Sequence, residues 1–569
     1  MTQSDLFKKI QTDISLERMI QSVKTLGQWH RYTGTEGGEM CVDYLTGELR
    51  KEGIPVRTDM YEAYVSLPLK AEMVLDTGET VPLIADVYSS SVENRRYILA
   101  YDRWSEMKHI PENENVERFA SFRGKMVLTS ESGGDFAEKL YRAGAEGMIH
   151  ISSSRGGYIH HSNIGAEWGT PCASQISRIV SIPAAGISME DGGRLINRME
   201  GEEVSAELTI QMDTRIRKSR MPYVDIPGKN KTFVLINGHY DSWYEGITDN
   251  ATSDAILLEL ARVFWKHKDE LERGIRIAWW SGHSDARYAG SAWHCDHHFK
   301  ELRDRCVANL NLDLTGCKNS EQVRARTTCM EGKAFTDQII EKYTGMAAKA
   351  YIPMIRGADQ SFWGARIPVQ VMLKYEPLDE KRVSPCPSGG PWWHTSLDTL
   401  DKMDEQILLR DALMNSEIAC QIVNSRVLPV KIADYAGIMR EYLEKIQKGL
   451  SKDFHMEGIL KSLNNLMPWI LKLESRLSCT GTGSGDWIIK RTAGELTRLV
   501  HTYGSSYSQD RSTPYAPFGI LQKAVSMTRD NTPPELYLFT MTEFTRACNR
   551  IEGQLDEVAE NIKNYLKTE

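Results

Sequence analysis

The sequence predicts an α/β fold built around an open, mostly parallel sheet with helices on both faces. From about Tyr223 to Leu428, short apolar segments that are typical of buried strands alternate with helical segments. The strands read KTFVLINGH, GIRIAWWSG, RCVANLNLD and PVQVMLK, and ATSDAILLELARVFWKHKDEL has apolar residues at helical spacing. Such alternation indicates βαβ units, which place functional groups at the carboxyl ends of the strands.

The chain length and the sequence patterns on either side of this region predict further domains. The chain has 569 residues, which is more than one hydrophobic core usually serves. Short β-rich runs separated by turn residues extend from about Pro55 to Met212, and the sequence after about Pro429 is mostly helical. We therefore expect an α/β domain of residues 1–58 and 216–428, an inserted β-rich domain of residues 59–215 and a helical domain of residues 429–569.

Amino-acid composition and net charge limit the classes of protein to which this chain could belong. Apolar residues make up 41% and charged residues 26%, as in ordinary globular proteins, and the net charge of -8 disfavours a nucleic-acid partner. The first residues lack the apolar core of a signal peptide, and no apolar run is long enough to span a bilayer. The ten cysteines form no CxxC pairs, which is typical of reduced thiols. We expect a soluble, cytoplasmic protein without a membrane partner.

Four residues of metal-binding type lie at the ends of the predicted elements. His239 ends the first strand, Asp249 comes just before the next helix, Asp313 ends RCVANLNLD, and His394 lies near the close of the domain. Imidazole and carboxylate together suit zinc and similar divalent ions, and a carboxylate that bridges two ions suits a two-metal hydrolase. Asp241 is placed to orient a metal-bound His239. Alone, Asp249 would be read as a helix N-cap, but all four in order favour a metal centre.

The surrounding segments resemble the zinc aminopeptidase (M28) family. GHYDSW and TDNATSDAILLELAR resemble its HxD...DNASG...ELAR signature, NLNLDLTG and WWHTSLDTLDKMD resemble its later metal motifs, and GADQSFWGARIPVQV resembles the segment between those two. The resemblance implies a zinc aminopeptidase-like fold and attack of a metal-activated water on an amide or peptide bond. It also implies that His239 and Asp313 hold one metal, Asp249 bridges, His394 holds the second, and Asp241 is the partner of His239.

The flanking regions extend this resemblance. FRGKMVLTSESGGDFAEKLYRAGAEGMIHI and SIPAAGISMEDGGRL resemble the protease-associated domain that is often inserted in these enzymes. NSRVLPVKIADYAGIMREYLEKI resembles the helical dimerisation domain of the glutamate carboxypeptidase II and transferrin receptor group. These similarities imply a homodimer that acts on a peptide or small amide substrate.

One motif departs from the family pattern, in which a Glu-Glu pair supplies the general base and a metal ligand. Counted forward from Trp280, the pair falls on His283 and Ser284; counted back from Gly290, it falls on Ser284 and Asp285. Neither alignment restores two carboxylates. His283 is the only strong base there, and a neutral imidazole can take a proton from water near neutral pH. His283 or Asp285 could instead replace the missing ligand, so the sequence leaves open whether one or two ions bind, and whether the metal is zinc or another divalent ion.

Two other functions stay open at this stage. The altered motif is compatible with a catalytically inactive binding or scaffold homologue. The segment Gly282 to Ala286 resembles a G-x-S-x-G nucleophile elbow, which would make Ser284 the nucleophile of a serine hydrolase. The last glycine of that motif is replaced by alanine, however, and a serine hydrolase would leave the four metal-type residues unexplained.

Several further histidines are expected on solvated surfaces. His294 and His298 lie four residues apart in the segment WHCDHH, and we interpret them as members of a solvated helix rather than as a second metal site. His150, His160 and His161 lie in the β-rich region, and we interpret them in the same way.

Overall fold

The structure is a computed structural model that describes residues 3–107, 110, 112–348, 351–353, 357–377, 389–479, 485–512 and 517–568. Helices come first in the chain: α1 (Gln3–Asp13), α2 (Leu16–Leu26) and α3 (Glu36–Lys51). The Ser15 side chain accepts a hydrogen bond from the Arg18 amide and caps α2, and Thr35 caps α3 through the Gly38 amide. The apolar faces of these helices are buried in the largest hydrophobic core.

A long strand, β1 (Val56–Leu75), leads from these helices into an inserted region. Its elements are β2 (Thr80–Pro82), β3 (Ile84–Ala85), β4 (Val92–Tyr101), α4 (Glu112–Ala120), β5 (Met126–Thr129), α5 (Gly134–Ala143), β6 (Gly147–Ile151), β7 (Ala184–Ile187) and α6 (Met189–Met199). The strand β8 (Ser205–Ile226) returns the chain and pairs antiparallel with β1 along nearly its whole length. The insertion is therefore attached by a long two-stranded ribbon, whose register is irregular between Pro68 and Lys70.

This ribbon runs through both predicted limits of the inserted domain. The ribbon pairs Val56 with Val224 at one end and Leu75 with Ala206 at the other, so residues 58/59 and 215/216 lie inside it. One end of β8 pairs with the strand that begins at Gly274, and the other end pairs with β4. The sequence predicts a strand only for VSAELTIQM, which covers the first part of β8, because the charged middle of the strand, TRIRKSR, lacks an apolar pattern.

The main sheet is open and mostly parallel, as the sequence predicts. Its elements after β8 are β9 (Phe233–His239), α7 (Thr252–Lys266), β10 (Gly274–Trp280), α8 (Ala289–His297), α9 (Phe299–Arg305), β11 (Cys306–Asn311), β12 (Gln322–Thr327), α10 (Lys333–Thr344), β13 (Tyr351–Pro353), β14 (Val369–Glu376) and α11 (Glu405–Val423). The strand order is β13-β12-β14-β11-β9-β10-β8. The central neighbours β14, β11, β9 and β10 are parallel, whereas β8 and β12 are antiparallel to the strands beside them, apart from the parallel pair β12–β13.

Helices cover this sheet on both faces, which explains its continuous apolar strands. Along β9, Val234 and Ile236 belong to the core shared with α2, α7 and α11. Phe233 and Leu235 point the other way and belong to the core shared with α8 and α9. Alternate residues of one strand are thus buried in different cores, and the strand ends are left as the place for polar groups.

The C-terminal region is helical, as expected. It contains α12 (Ile432–Gly449), α13 (Glu457–Leu477), α14 (Asp486–His501), α15 (Gly519–Gln522) and α16 (Pro534–Thr568). Its apolar residues continue the core of the main sheet. Among the described residues, no helix combines the length and apolar character that crossing a membrane requires.

A buried ion pair joins this helical region to the main sheet. The Arg273 guanidinium donates to both Asp486 carboxylate oxygens at 2.8 and 2.9 Å, and both side chains are almost fully excluded from solvent. Nearby, the buried Lys490 ammonium donates to the backbone carbonyls of Leu302 and Cys306. The start of α14 is therefore fixed to the sheet by charges that have no access to water.

We expect Asp486→Ala to destabilise the folded chain strongly, because Arg273 would stay buried without its carboxylate. Breaking a buried pair in this way costs about 3–5 kcal/mol. The control is Lys300→Ala, which removes a pair with Asp304 whose lysine is 85% exposed and should cost at most about 1 kcal/mol. Urea unfolding followed by tryptophan fluorescence compares the two variants. Equal, small shifts of the midpoint would contradict the structural role of the buried pair.

Candidate metal centre

Four of the predicted site residues come together at the carboxyl ends of β9 and β11. His239 ends β9, Asp249 lies in the distorted turn of residues 247–251 before α7, and Asp313 follows β11 closely. His239 Nε2 lies 3.3 Å from Asp249 Oδ1 and 3.8 Å from Asp313 Oδ1. His394 Nε2 lies 3.2 Å from Asp249 Oδ2. The Asp249 carboxylate therefore lies between two imidazoles, with one oxygen facing each ring.

The atoms that face each other in this centre fit a divalent cation. His239 Nε2 and Asp313 Oδ1 are buried and have no hydrogen-bond partner among the described residues. Burial alone would lower the pKa of His239, but Asp249 and Asp313 outweigh it and raise that pKa well above its usual value. Imidazole nitrogen and carboxylate oxygen are zinc ligands, and a cation placed among them would satisfy the atoms that lack partners. These four residues could hold the metal that the sequence predicts.

Contacts outside the centre fix the position of Asp249. The buried Asp398 carboxylate accepts hydrogen bonds from the amides of Thr248 and Asp249 at about 3.0 Å and from the Thr248 hydroxyl at 2.8 Å. Asn250 donates to the carbonyl of Leu312 and accepts from the amide of Leu314, the residues on either side of Asp313. The turn that carries Asp249 is thus tied directly to the segment that carries Asp313.

Asp241 contacts the site differently from the sequence prediction. His239 Nδ1 donates to the backbone carbonyl of Asp241 at 2.9 Å, whereas the carboxylate oxygen Oδ1 is 3.8 Å away. The carboxylate instead accepts from the amides of His283 and Ser284 at 3.1 and 2.9 Å. Asp241 therefore orients His239 through its main chain and fixes the loop after β10 through its side chain.

His283 lies beside His239, and a residue that the sequence did not single out holds it there. The two rings stack with centroids 3.7 Å apart, and His283 Nδ1 lies 3.0 Å from Asp359 Oδ2. Burial would raise the pKa of Asp359, but His283 and His239 outweigh it, so that pKa lies below its usual value. An ionised Asp359 accepts a hydrogen bond from the Nδ1–H of His283, which leaves the lone pair on Nε2. Asp359 belongs to GADQSFWGARIPVQV, which was the only sequence signal for it.

The other residues of the altered motif have contacts outside the set of metal-type ligands. Asp285 Oδ2 accepts a hydrogen bond from the Thr33 amide at 2.8 Å. Burial and the nearby Asp241 carboxylate raise the pKa of Asp285 to about 7. Among the described residues, no hydrogen bond joins the Ser284 hydroxyl to an imidazole. Of these three residues, His283 is the one whose side chain contacts a metal-type residue, through its stacking on His239.

The inserted region reaches the centre through His161. Its backbone carbonyl accepts from His394 Nδ1 at 2.9 Å, and its amide donates to the His394 carbonyl at 3.1 Å. The His161 ring stacks on Trp243 with centroids 4.0 Å apart, and burial lowers its pKa to about 3. The loop between β6 and β7 thus sets the orientation of one predicted metal ligand.

The expectation of solvated surfaces is wrong for His150 and His161, which are both buried, whereas His160 is half-buried. The His150 ring lies 2.9 Å from the buried Asp86 carboxylate. Both errors have one cause, since the elements that cover these rings lie far away in the sequence.

Residues 223–418 match the family model described as Peptidase family M28. This region contains the metal-type residues, so the resemblance inferred from the motifs is confirmed. Aminopeptidase NAALADL1 of Mus musculus is 22% identical over 321 residues, which are 49% of this chain and 41% of that protein. The chain therefore spans less than half the length of this relative.

Two further similarities cover more of the chain. Probable glutamate carboxypeptidase VP8 of Zea mays is 21% identical over 535 residues, which are 78% of this chain and 72% of that protein. The solved aminopeptidase from Aneurinibacillus sp. strain AM-1 superposes with a TM-score of 0.56 at 20% identity, over 73% of this chain and 95% of that chain. At this level of identity the structural likeness establishes the fold.

We expect His239→Ala to lose at least one tightly held divalent ion per chain, because two carboxylates would face each other without the imidazole that completes the set. Plasma emission on gel-filtered protein measures the metal content. His455→Ala is the matched control, since that ring is 73% exposed and lies outside the centre. Equal metal content in the two variants would contradict the assignment.

Proposed function

We propose that this chain is a metal-dependent peptidase that hydrolyses a peptide or small amide bond. The main observation that supports this proposal is that the Asp249 carboxylate lies between two imidazoles at the carboxyl ends of parallel strands. These residues lie in the region that matches the model of Peptidase family M28. When bound, zinc or a similar divalent ion would polarise the scissile carbonyl and lower the pKa of water. The proposed ligands are His239, Asp249, Asp313 and His394.

We infer that the two halves of this centre differ in affinity. His239, Asp249 and Asp313 make a set of three protein ligands, which suffices for one catalytic ion with an open position. On the other side Asp249 and His394 are the available ligands among the described residues, which place no carboxylate where the family has the second Glu. One ion per chain should therefore be held more tightly than a second.

His283 is the proposed general base in place of the Glu. Asp359 engages Nδ1, so the free lone pair lies on Nε2, and stacking on His239 restricts rotation of the ring. One ring nitrogen of His283 lies within 4.8 Å of ligand atoms of His239 and Asp313. From there the imidazole can take a proton from the attacking water and pass it to the leaving amine. The same position would also allow His283 to bind the metal, so the test must distinguish a general base from a metal ligand.

We expect His283→Ala to lose about 10²–10⁴ in kcat while it keeps its bound metal, because removal of a positioned general base costs that much. His283→Glu restores a carboxylate and should recover part of the rate. Turnover of a peptide panel and metal content are measured on the same preparations. Loss of metal together with rate would make His283 a ligand, and unchanged turnover would remove His283 from the mechanism.

Asp359→Asn separates positioning from packing in this experiment. The Asn amide would donate to Nδ1 of His283, which moves the ring proton to Nε2 and removes the lone pair that accepts a proton. The rate should fall while the fold and the metal content stay unchanged.

Two outcomes of the same assays would favour the alternative functions. If the wild-type chain turned over no member of the panel with added zinc, the result would favour the inactive homologue instead. Activity that survives chelation, with fluorophosphonate labelling of Ser284, would favour the serine hydrolase.

We also propose that the chain is a cytoplasmic homodimer paired through its helical region. Large apolar side chains are exposed near the start of α16, at Leu536, Leu538 and Phe539. Pairing would remove this apolar surface from water. Light scattering on the purified chain should give about twice the chain mass of 64.5 kDa. A monomer at micromolar concentration would contradict the proposal, and Phe539→Glu should weaken the dimer.

A further inference from the structure

A second group of metal-type side chains lies outside the proposed catalytic centre. Asp59 is on β1, His294 is on α8, and His298 is at the junction of α8 and α9. The Asp59 oxygen Oδ2 lies 2.9 Å from His294 Nδ1 and 3.1 Å from His298 Nε2. One ligand atom from each residue lies within 4.8 Å of the others.

The sequence interpretation of these histidines as part of a solvated helix is wrong. The His294 side chain is fully buried, and the His298 side chain is only 23% exposed. Their rings stack on each other with centroids 4.1 Å apart, and the Tyr223 ring packs edge-on against both. The helix face that carries them is covered by β1 and β8, which the spacing of histidines alone does not reveal.

The positive charge of Arg276, which lies beside the group, is already compensated. The Arg276 guanidinium lies over the Tyr223 ring, and it donates to Asp225 at 2.7 Å and to Glu301 at 2.9 Å. A cation that enters beside Asp59 would therefore meet an arginine whose charge is balanced by two carboxylates.

We propose that Asp59, His294 and His298 form a second binding site for zinc or a similar divalent ion. Two imidazole nitrogens and one carboxylate oxygen are the ligands that such an ion prefers. Ligands at about 2 Å from a tetrahedral zinc are roughly 3.3 Å apart, so the two separations between Asp59 and the histidines need little adjustment. The Asp59 side chain is 14% exposed, which gives an ion and its remaining water access from solvent.

The position of this site indicates what the ion would do. Asp59 belongs to the half of the ribbon that lies along the main domain, while α8 follows directly after the loop that carries His283. A metal bound by both would join the ribbon to α8 and stabilise their packing. This role does not depend on catalysis at the other centre.

The test is zinc binding by the full chain after treatment with a chelator, measured by equilibrium dialysis against buffered micromolar zinc and by plasma emission. His298→Ala should bind one zinc ion fewer per chain than the wild type. His297→Ala is the matched control, because His297 is exposed, stacks on Trp293 and lies outside the group, and it should bind as the wild type does. Equal zinc binding by His298→Ala and the wild type would overturn the proposal.

The same comparison in a His239→Ala background separates the two centres. In that background the catalytic ion should be absent. Zinc that the His239→Ala chain still binds should be lost when His298→Ala is added. Asp59→Asn, which preserves side-chain size, guards against a folding defect and should also weaken binding. Zinc should raise the melting temperature of the His239→Ala chain but not that of the double variant. A zinc-dependent shift that persists in the double variant would place the ion elsewhere.

Discussion

The contact of the buried Asp249 carboxylate with two imidazoles is the interaction on which the arrangement of the centre depends. A carboxylate removed from water needs compensation, and here the two imidazoles of His239 and His394 outweigh burial and hold the pKa of Asp249 well below its usual value. His239 and His394 are far apart in the sequence, and each ring must lie next to a different oxygen of the Asp249 carboxylate for this compensation to occur. Asp249 therefore depends on the fold for its position, and it supplies the central carboxylate of the proposed metal centre.

Three regions of the chain contribute to that arrangement. The parallel strands bring His239 and Asp313 to one edge of the sheet, and Asp398 fixes the turn of Asp249 through backbone amides. The loop of the inserted region orients His394 through the His161 main chain. The ribbon of β1 and β8 matters for the same reason, since it fixes the inserted region against the main sheet and so limits how far that loop can move.

The sequence predicted the parts of this arrangement that local patterns determine. The apolar strands and the polar residues at their ends were visible because both lie in one short segment, as in FVLINGH followed by Tyr240 and Asp241. The roles of Asp359 and His161 were not visible, since each acts through a partner 76 or 233 residues away. The burial of His294 was missed for the same reason, because strands from distant segments cover its helix. The carboxylate of Asp241 lies 3.8 Å from His239 Nδ1 but accepts hydrogen bonds from the amides of His283 and Ser284, which the spacing of residues along the chain does not reveal.

The most direct test of the account is a crystal structure of the chain grown with zinc, with anomalous diffraction recorded on both sides of the zinc absorption edge. The account predicts an anomalous peak in contact with His239, Asp249 and Asp313, and a weaker or absent peak between Asp249 and His394. A map in which no ion contacts Asp249, although the protein is folded and zinc is present, would contradict the central claim that this carboxylate organises a metal centre.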